Sequence, residues 1–480
     1  MEIKKFLEKP KSMLIAPAGY GKTHTIALCI EQIEKKDKKC LILTHTHAGV
    51  ASLRTKIENM NISKEKYCIE TISSFSQKYV NAFYHGNSIP EQESQEYFTF
   101  IIEEASKLFI INPIKTILKN SYSHLIVDEY QDCTILHHSL ILNLASVLPT
   151  HILGDPLQGI FNIKKQVLVN MENKKQMGNF ISTENTFFLD QPYRWIKGNA
   201  IDLGYSLQQI RQKLESHQII DLSLYPSIDQ RIINEADLWL PNSEYSSQIR
   251  ILCNSEIDNI LFIYPDSANE NTRERLVKLY GGKMYLLEAI DSKIYYNSAK
   301  AYDTMNKDNF YDILITEFKQ YFSQTVINNW FNNKGVKRKQ SETDKIYTEP
   351  IQQNLERLKN KISYNLLAET ITLVSKLPKN KTFRLELTRE ICKALRKAHI
   401  ENISVYESMK RNRNICRRLG RNIHGKCLGT TLLTKGLEFH TVVILNAHKF
   451  KDPKNFYVAI TRASRHLIVF TNSSQIAPYN

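Results

Sequence analysis

The chain has 480 residues, more than one ordinary domain holds, so roughly two to four domains are expected, and its 42% hydrophobic and 10% aromatic content is enough for real cores. Lys and Arg number 64 against 49 Asp and Glu, a net charge of +15 that suits a nucleic acid or another acidic partner, and equally a soluble basic protein from a Lys-, Asn- and Ile-rich proteome. No span reaches the roughly 18 apolar residues of a membrane helix, which excludes a helical membrane protein and leaves a cytoplasmic one as the expectation.

In chain order, the first part, residues 1–190, alternates strands and helices. Met13–Ala16, Cys40–Thr44, Leu125–Val127 and His151–Gly154 read as strands, and Thr23–Lys36 as a helix between the first two. This is the pattern of a doubly wound parallel sheet. A short helical insertion is expected over about 78–120, centred on the helical stretch Pro90–Lys119. A second α/β signal covers 191–293, with strands at Asn259–Tyr264 and Met284–Glu288. Residues 294–400 look mostly helical, with a polar break carrying Lys334, Lys337, Arg338 and Lys339. The α/β pattern returns over 401–480, where Thr441–Leu445 and Leu467–Phe470 are strong strands. The eight cysteines form no CxxC, and several sit in apolar runs such as Cys40–Leu43. They read as reduced core residues rather than a metal site or disulfide frame.

Two segments carry chemistry. Met13-Leu14-Ile15 runs into Ala16-Pro17-Ala18-Gly19-Tyr20-Gly21-Lys22-Thr23-His24, a phosphate-binding loop with Ala16 in place of the first glycine. Gly19 and Gly21 let the backbone curl so that its N–H groups face phosphate oxygens, and the following helix adds its positive end. Lys22 would reach the β- and γ-phosphates of ATP or another NTP, and Thr23 would ligate Mg²⁺. Downstream, Leu125-Ile126-Val127 delivers Asp128-Glu129-Tyr130-Gln131-Asp132 to a strand end, where ligands bind in open α/β sheets. There Asp128 can hold Mg²⁺ and Glu129 can activate the attacking water.

These two segments, followed by Gly154-Asp155-Pro156-Leu157-Gln158, Gln191-Pro192-Tyr193-Arg194, Thr434-Lys435-Gly436-Leu437-Glu438-Phe439 and Tyr457-Val458-Ala459-Ile460-Thr461-Arg462-Ala463, resemble in order the motifs of the UvrD/Rep/PcrA helicases of superfamily 1. Thr44-His45-Thr46 and Thr71-Ile72-Ser73-Ser74-Phe75 are weaker matches. The resemblance implies an α/β fold of two RecA-like domains, each a parallel sheet flanked by helices, with a small helical insertion in the first and a larger one in the second. It implies a nucleotide in the cleft between them. On that reading Gln158 senses the γ-phosphate, Arg194 and Arg462 contact it from the second domain, Tyr193 stacks on the base, and Gly436 and Glu438 lie at the nucleotide, with Glu438 on the ribose.

The chain departs from that pattern mostly where the family meets DNA. Ser73 stands where the family has a histidine, Ile163 where a tryptophan is common beside Phe161, Leu432 for a histidine, and His45 for a phenylalanine, although His45 can still stack. No glutamine lies in Met1–Ser12, where the family reads adenine. Tyr20 can contact the nucleotide instead, or face solvent. The compact form and the stretch Gly429–Phe439 resemble the helicase-like subunit of Gabija-type antiphage systems, which implies a nuclease partner of the overcoming-lysogenization-defect (OLD) class. A basic run, Lys410, Arg411, Arg413, Arg417, Arg418, Arg421 and Lys426, suits phosphate-backbone contact, a solvated helix face or a docking surface. The expected activity is Mg²⁺-dependent NTP hydrolysis acting on or activated by single-stranded DNA or DNA ends. The alternatives are a general 3′–5′ repair helicase and a nucleotide-switched scaffold with little turnover.

Overall fold

Strands that are buried on both faces need helices on both sides, and the first sheet is built this way. The computed structural model describes all residues except 1, 34–36, 87, 91–94, 162–166, 266–269, 281–282, 290–291, 333–334, 338–340, 420–422 and 480, together with the side chains of 95, 270 and 417–419. Its first six strands are β1 (Lys11–Ile15), β2 (Lys39–Thr44), β3 (Tyr67–Thr71), β4 (Tyr122–Val127), β5 (Thr150–Gly154) and β6 (Thr186–Phe188). They form one all-parallel sheet in the order β3-β2-β4-β5-β1-β6. All of β5 is buried, as are Leu125, Ile126 and Val127 of β4.

One face of this sheet is covered by helices Lys22–Gln32 and His47–Glu58, whose Ile26, Ile30, Leu53 and Ile57 meet Leu14, Ile42 and Leu153. The other face is covered by helices Ile72–Phe83, Gln95–Leu108, Asn112–Ser121 and Ile135–Ala145. The short insertion therefore consists of two helices without a core of their own. Tyr97, Ile101, Ala105, Phe109 and Leu118 join the core beneath the sheet, with Phe109 packed edge-on to Tyr79 and tilted against Phe75. The helix expected over Thr23–Lys36 ends at Gln32, and 34–36 lie outside the described residues.

The second half begins with helices Tyr193–Lys197 and Ile201–Glu215, and its strands are the short β7 (Ile220–Asp221), then β8 (Ile228–Ile232), β9 (Asn259–Ile263) and β10 (Tyr285–Leu286). After the helical body, which carries the small antiparallel pair β11 (Phe331–Asn332) and β12 (Gly335–Val336), come β13 (Gly425–Gly429), β14 (Phe439–Ile444), β15 (Ala463–Thr471) and β16 (Gln475–Ile476). A second all-parallel six-stranded sheet runs β10-β13-β9-β14-β15-β8, and β16 pairs with β7. The molecule is thus an α/β protein of two parallel sheets flanked by helices. No helix among the described residues is long and apolar enough to cross a membrane.

Expected to end at 400, the helical body runs on through helix Val405–Leu419, so the second sheet resumes only at β13. Val405 and Met409 sit in the same core as Tyr295, Leu367, Ile391 and Leu395. The helix also packs against His47–Glu58 of the first half. Its start is held by Asp303, whose carboxylate accepts from the Val405 N–H at 2.7 Å, the Tyr406 N–H at 2.9 Å and the Tyr364 hydroxyl at 3.2 Å. This is capping by a residue distant in sequence, satisfying N–H groups that a helix start leaves unpaired. Asp303→Ala removes that acceptor. It is expected to cost about 0.5–2 kcal/mol in urea denaturation and to raise amide exchange in the first turn of Val405–Leu419. Unchanged exchange there would contradict the assignment.

Candidate nucleotide site between the two sheets

β5 lies between β4 and β1, so three strand ends converge at one edge of the first sheet. The ladder continues past the strands: the Asp128 N–H donates to Leu43 O at 2.8 Å, and the Ala16 N–H to Gly154 O at 2.9 Å. This register puts the loop Ala16–Gly21, the acids after β4 and Asp155 side by side. Gly19 and Gly21 take φ of +79° and +89°, a region that favours glycine. A Cβ on Gly21 would stand 3.0 Å from the Tyr193 ring, and one on Gly19 2.8 Å from Trp195. The two glycines thus let the second half of the chain close directly onto the loop, and the Arg194 N–H donates to Gly19 O at 2.9 Å.

Lys22 opens the helix after the loop, so its N–H and that of Thr23 belong to the first turn, which has no intrahelical acceptors. Its ammonium lies 3.1 Å from Asp128 Oδ1 and 2.5 Å from Glu129 Oε1. Burial disfavours its charge, but Asp128 and Glu129 outweigh this and hold its pKa above the ordinary lysine value. Burial lifts the Asp128 carboxyl against the pull of Lys22. Burial would lift Glu129 as well, but Lys22 and then Lys435 reverse the balance and hold it at about 2. Glu129 also adopts a left-handed backbone, φ +54°, unusual for a residue with a side chain, which turns the chain sharply out of β4. The buried Oδ1 of Asp128 is paired with Lys22 and takes no further hydrogen bond among the described residues. No cluster of three His, Cys, Asp or Glu among them could hold a metal ion. A carboxylate and a hydroxyl, those of Asp128 and Thr23, are ligand types that fit a hard cation such as Mg²⁺, whose remaining ligands would be waters and phosphate oxygens.

Of the residues expected from the second half, Tyr193 is 44% exposed beside Gly21. Arg194 donates to Glu438 Oε1 at 2.8 Å and to Thr461 O at 2.5 Å, while its Nε is buried without an acceptor among the described residues. Glu438, expected at the ribose, is thus engaged with Arg194. Arg462 is 1% exposed and donates to Val458 O and Leu437 O. Burial, then Arg194, lower its pKa to about 10. Gln158 donates to Asp155 Oδ2 at 2.8 Å. Gly436 has φ +81° with open space around it. Pro17 and Ala18 lie in the loop itself, and His24 in the first turn of the helix after it.

Several expectations change. Tyr20 neither faces solvent nor presents its ring to an open pocket: it is 3% exposed, edge-on to Trp195, in the core of the second half. His45 is engaged within the first half, with Cys133 Sγ 3.3 Å from its Nε2 and the His137 ring edge-on. The basic run before β13 does not form one exposed surface. Arg413 is fully buried over the Tyr295 ring at 4.1 Å, Arg411 pairs with Glu401 and Glu407, and Lys426 donates to the carbonyls of Cys253 and Ser255. Arg417, Arg418 and Arg421 lie outside the described side chains, as do Lys334, Arg338, Lys339 and Ile163.

Two contacts across the cleft involve residues given no role above. Lys435 meets both oxygens of Asp132 at 2.6 Å and lies 4.5 Å over the Phe161 ring. Burial lifts Asp132 to about 7 despite Lys435. Arg211 donates to Asp155 Oδ1 at 2.7 Å and to the Tyr457 hydroxyl at 2.9 Å. The one sequence signal for Arg211 is its place among Leu203, Leu207, Ile210 and Leu214 on the buried stripe of helix Ile201–Glu215.

Residues 2–163 match a family model described as an AAA domain. No curated protein matches the sequence. Among solved structures, the chain is similar to the crystal structure of Pif1 helicase from Candida albicans, at 12% identity and a TM-score of 0.37, over 98% of this chain and 93% of that one.

The low pKa of Glu129 gives the site a pH signature. A carboxylate depressed from 4.5 to about 2 contributes stability that is present above pH 4.5 and lost as pH falls toward 2. Lys22→Met leaves the buried Asp128 and the partly buried Glu129 without their nearest cation, expected to cost up to about 3–5 kcal/mol near neutral pH. Thermal denaturation of wild type and variant should show that gap closing as pH falls toward 2. A gap independent of pH would refute the pairing.

Proposed function

We propose that this chain is a Mg²⁺-dependent nucleoside triphosphatase of the UvrD-like superfamily 1 type, acting on or activated by single-stranded DNA or DNA ends, with ATP as substrate. The observation that carries the reading is Lys22 bridging Asp128 and Glu129 at the foot of a glycine loop, with Arg194 and Arg462 brought up from the other half. The loop backbone and the first turn after it cradle phosphates. Thr23 and Asp128 would hold Mg²⁺, which when bound neutralises phosphate charge. Lys22 leaves the two carboxylates for the phosphates. Glu129, then an acceptor without its cation, takes a proton from the attacking water or orients it. Arg194 and Arg462 stabilise the charge that spreads over the γ-phosphate oxygens. Tyr193, exposed beside Gly21, offers a face to the base.

Regulation of an OLD-class nuclease partner in antiphage defence is the narrower form of this reading, supported by the Gly429–Phe439 stretch and by the compact chain. His45 tied to Cys133 and His137, and Arg413 and Lys426 turned inward, favour a DNA-stimulated hydrolase that unwinds poorly over a processive 3′–5′ helicase.

Glu129→Gln keeps the shape of the side chain but not its basicity. It is expected to lower kcat for ATP by about 10²–10⁴-fold while Mg²⁺–ATP still binds. Full hydrolysis by this variant would overturn the site assignment. With wild type, single-stranded DNA should stimulate hydrolysis while a 3′-tailed duplex is unwound weakly. Vigorous unwinding supports the helicase alternative, and neither activity the scaffold.

A further inference from the structure

A carboxylate accepts hydrogen bonds and does not donate them, so a side-chain amide that faces one must present its NH₂. That rule fixes two glutamines beside the candidate catalytic acid. Asp155 is fully buried, and its Oδ2 receives Gln158 Nε2, which directs the Gln158 carbonyl away from it. The backbone N–H of Asp155 donates to Gln131 Oε1 at 3.0 Å, which turns the Gln131 NH₂ to Glu129 Oε2 at 2.5 Å. Gly154 makes room for this approach, since a Cβ there would stand 2.7 Å from Gln131 Oε1. The position of one residue, Asp155, therefore decides how both amides face the site.

Asp155 is itself anchored from the other half of the molecule. Arg211 Nη1 donates to its Oδ1 and to the Tyr457 hydroxyl, Arg211 Nε meets Glu215 at 2.8 Å, and the guanidinium lies 5.2 Å over the Tyr457 ring. Asp155, Arg211 and Tyr457 are all buried. Lys22, Glu129, Gln131, Asp155, Arg211 and Tyr457 form one unbroken chain of contacts from the phosphate loop into the helices over the second sheet.

We propose that Arg211 is a positioning residue for γ-phosphate recognition: from the second half of the chain it holds Asp155, and through Asp155 it sets the sense of the Gln158 and Gln131 amides. With the NH₂ of Gln158 engaged, its carbonyl can accept from the attacking water and its second N–H can donate to the γ-phosphate. Arg211 touches no substrate. Separation of the two halves removes the anchor, so the site reads a γ-phosphate only when they are closed. This inference rests on the nucleotide-hydrolysis reading above.

Arg211→Met and Arg211→Lys test it by calorimetric titration with Mg²⁺–ADP and a Mg²⁺-bound non-hydrolysable ATP analogue, beside steady-state hydrolysis. Arg211→Met should lose most of the preference of wild type for the triphosphate while ADP affinity holds. Its kcat should fall about 10–100-fold, as expected of misplaced rather than missing catalytic groups, and its KM should rise in step with the weaker triphosphate affinity. Arg211→Lys, which keeps charge without the forked geometry, should fall between. An unchanged triphosphate-to-diphosphate ratio in a folded variant overturns the proposal, and so does an equal loss of both affinities, which marks a purely structural residue. If Arg211→Met does not fold, Arg211→Lys and Tyr457→Phe carry the same comparison, and wild-type ratios in both overturn it. Wild type that binds neither nucleotide overturns the hydrolysis reading itself, whereas wild type that discriminates beside variants that also discriminate overturns this inference alone.

Discussion

Four acids stand at the edge of the first sheet, all but Glu129 buried, and each needs a cation. Asp128 and Glu129 have Lys22, Asp132 has Lys435, and Asp155 has Arg211. Only Lys22 belongs to the same sheet unit. The other two come from the far half of the chain, so the acids can be buried only when the halves meet. Replacing a whole buried ion pair by apolar groups is often neutral for stability, whereas removing one partner costs about 3–5 kcal/mol. These pairs therefore specify the closed arrangement more than they add net stability to it. The net drive comes from apolar burial, in which Tyr20 and Leu157 of the first half share a core with Trp195, Leu207 and Tyr457.

That shared core places the phosphate loop under the control of the second half. Tyr20 is wedged against Trp195, Arg194 grips the Gly19 carbonyl through its backbone, and Tyr193 covers Gly21. A loop that must curl around phosphates is thus backed by side chains that move with the other sheet. The helical body adds a further brace, because Val405–Leu419 packs on His47–Glu58 while Arg384 ties it to Glu274 and Glu288 of the second half.

Much of this was legible in the sequence, and the limits follow from physics. Strands such as Cys40–Thr44 and Leu125–Val127 are continuous apolar runs, a pattern that local composition determines. The glycine loop and the acids after β4 are contiguous, so their chemistry reads directly. Tyr20, Arg211 and Arg413 were opaque because their burial depends on residues tens to hundreds of positions away. Arg413 belongs to a run of cations that looks like a nucleic-acid surface, yet the Tyr295 ring and Glu386 and Glu390 enclose it. The end of the helical body was misplaced because, beside the local cap at Ser404, the start of Val405–Leu419 is tied back to that body by Asp303, which no local window contains.

A ligand shifts an arrangement only by binding its states unequally. Two contacts here must change if phosphates enter: Lys22 must exchange Asp128 and Glu129 for the ligand, and Arg194 must exchange Glu438. The first exchange leaves the buried Asp128 and the partly buried Glu129 unpaired, which is costly unless a divalent cation arrives with the phosphates. The second releases a carboxylate that is half exposed and readily rehydrated. The asymmetry makes the first-half exchange the expensive one, and it ties entry of the triphosphate to entry of its metal. Arg211 and Lys435 face no such exchange, since their acids lie behind the phosphate path. They can hold the halves together while the front of the cleft changes partners.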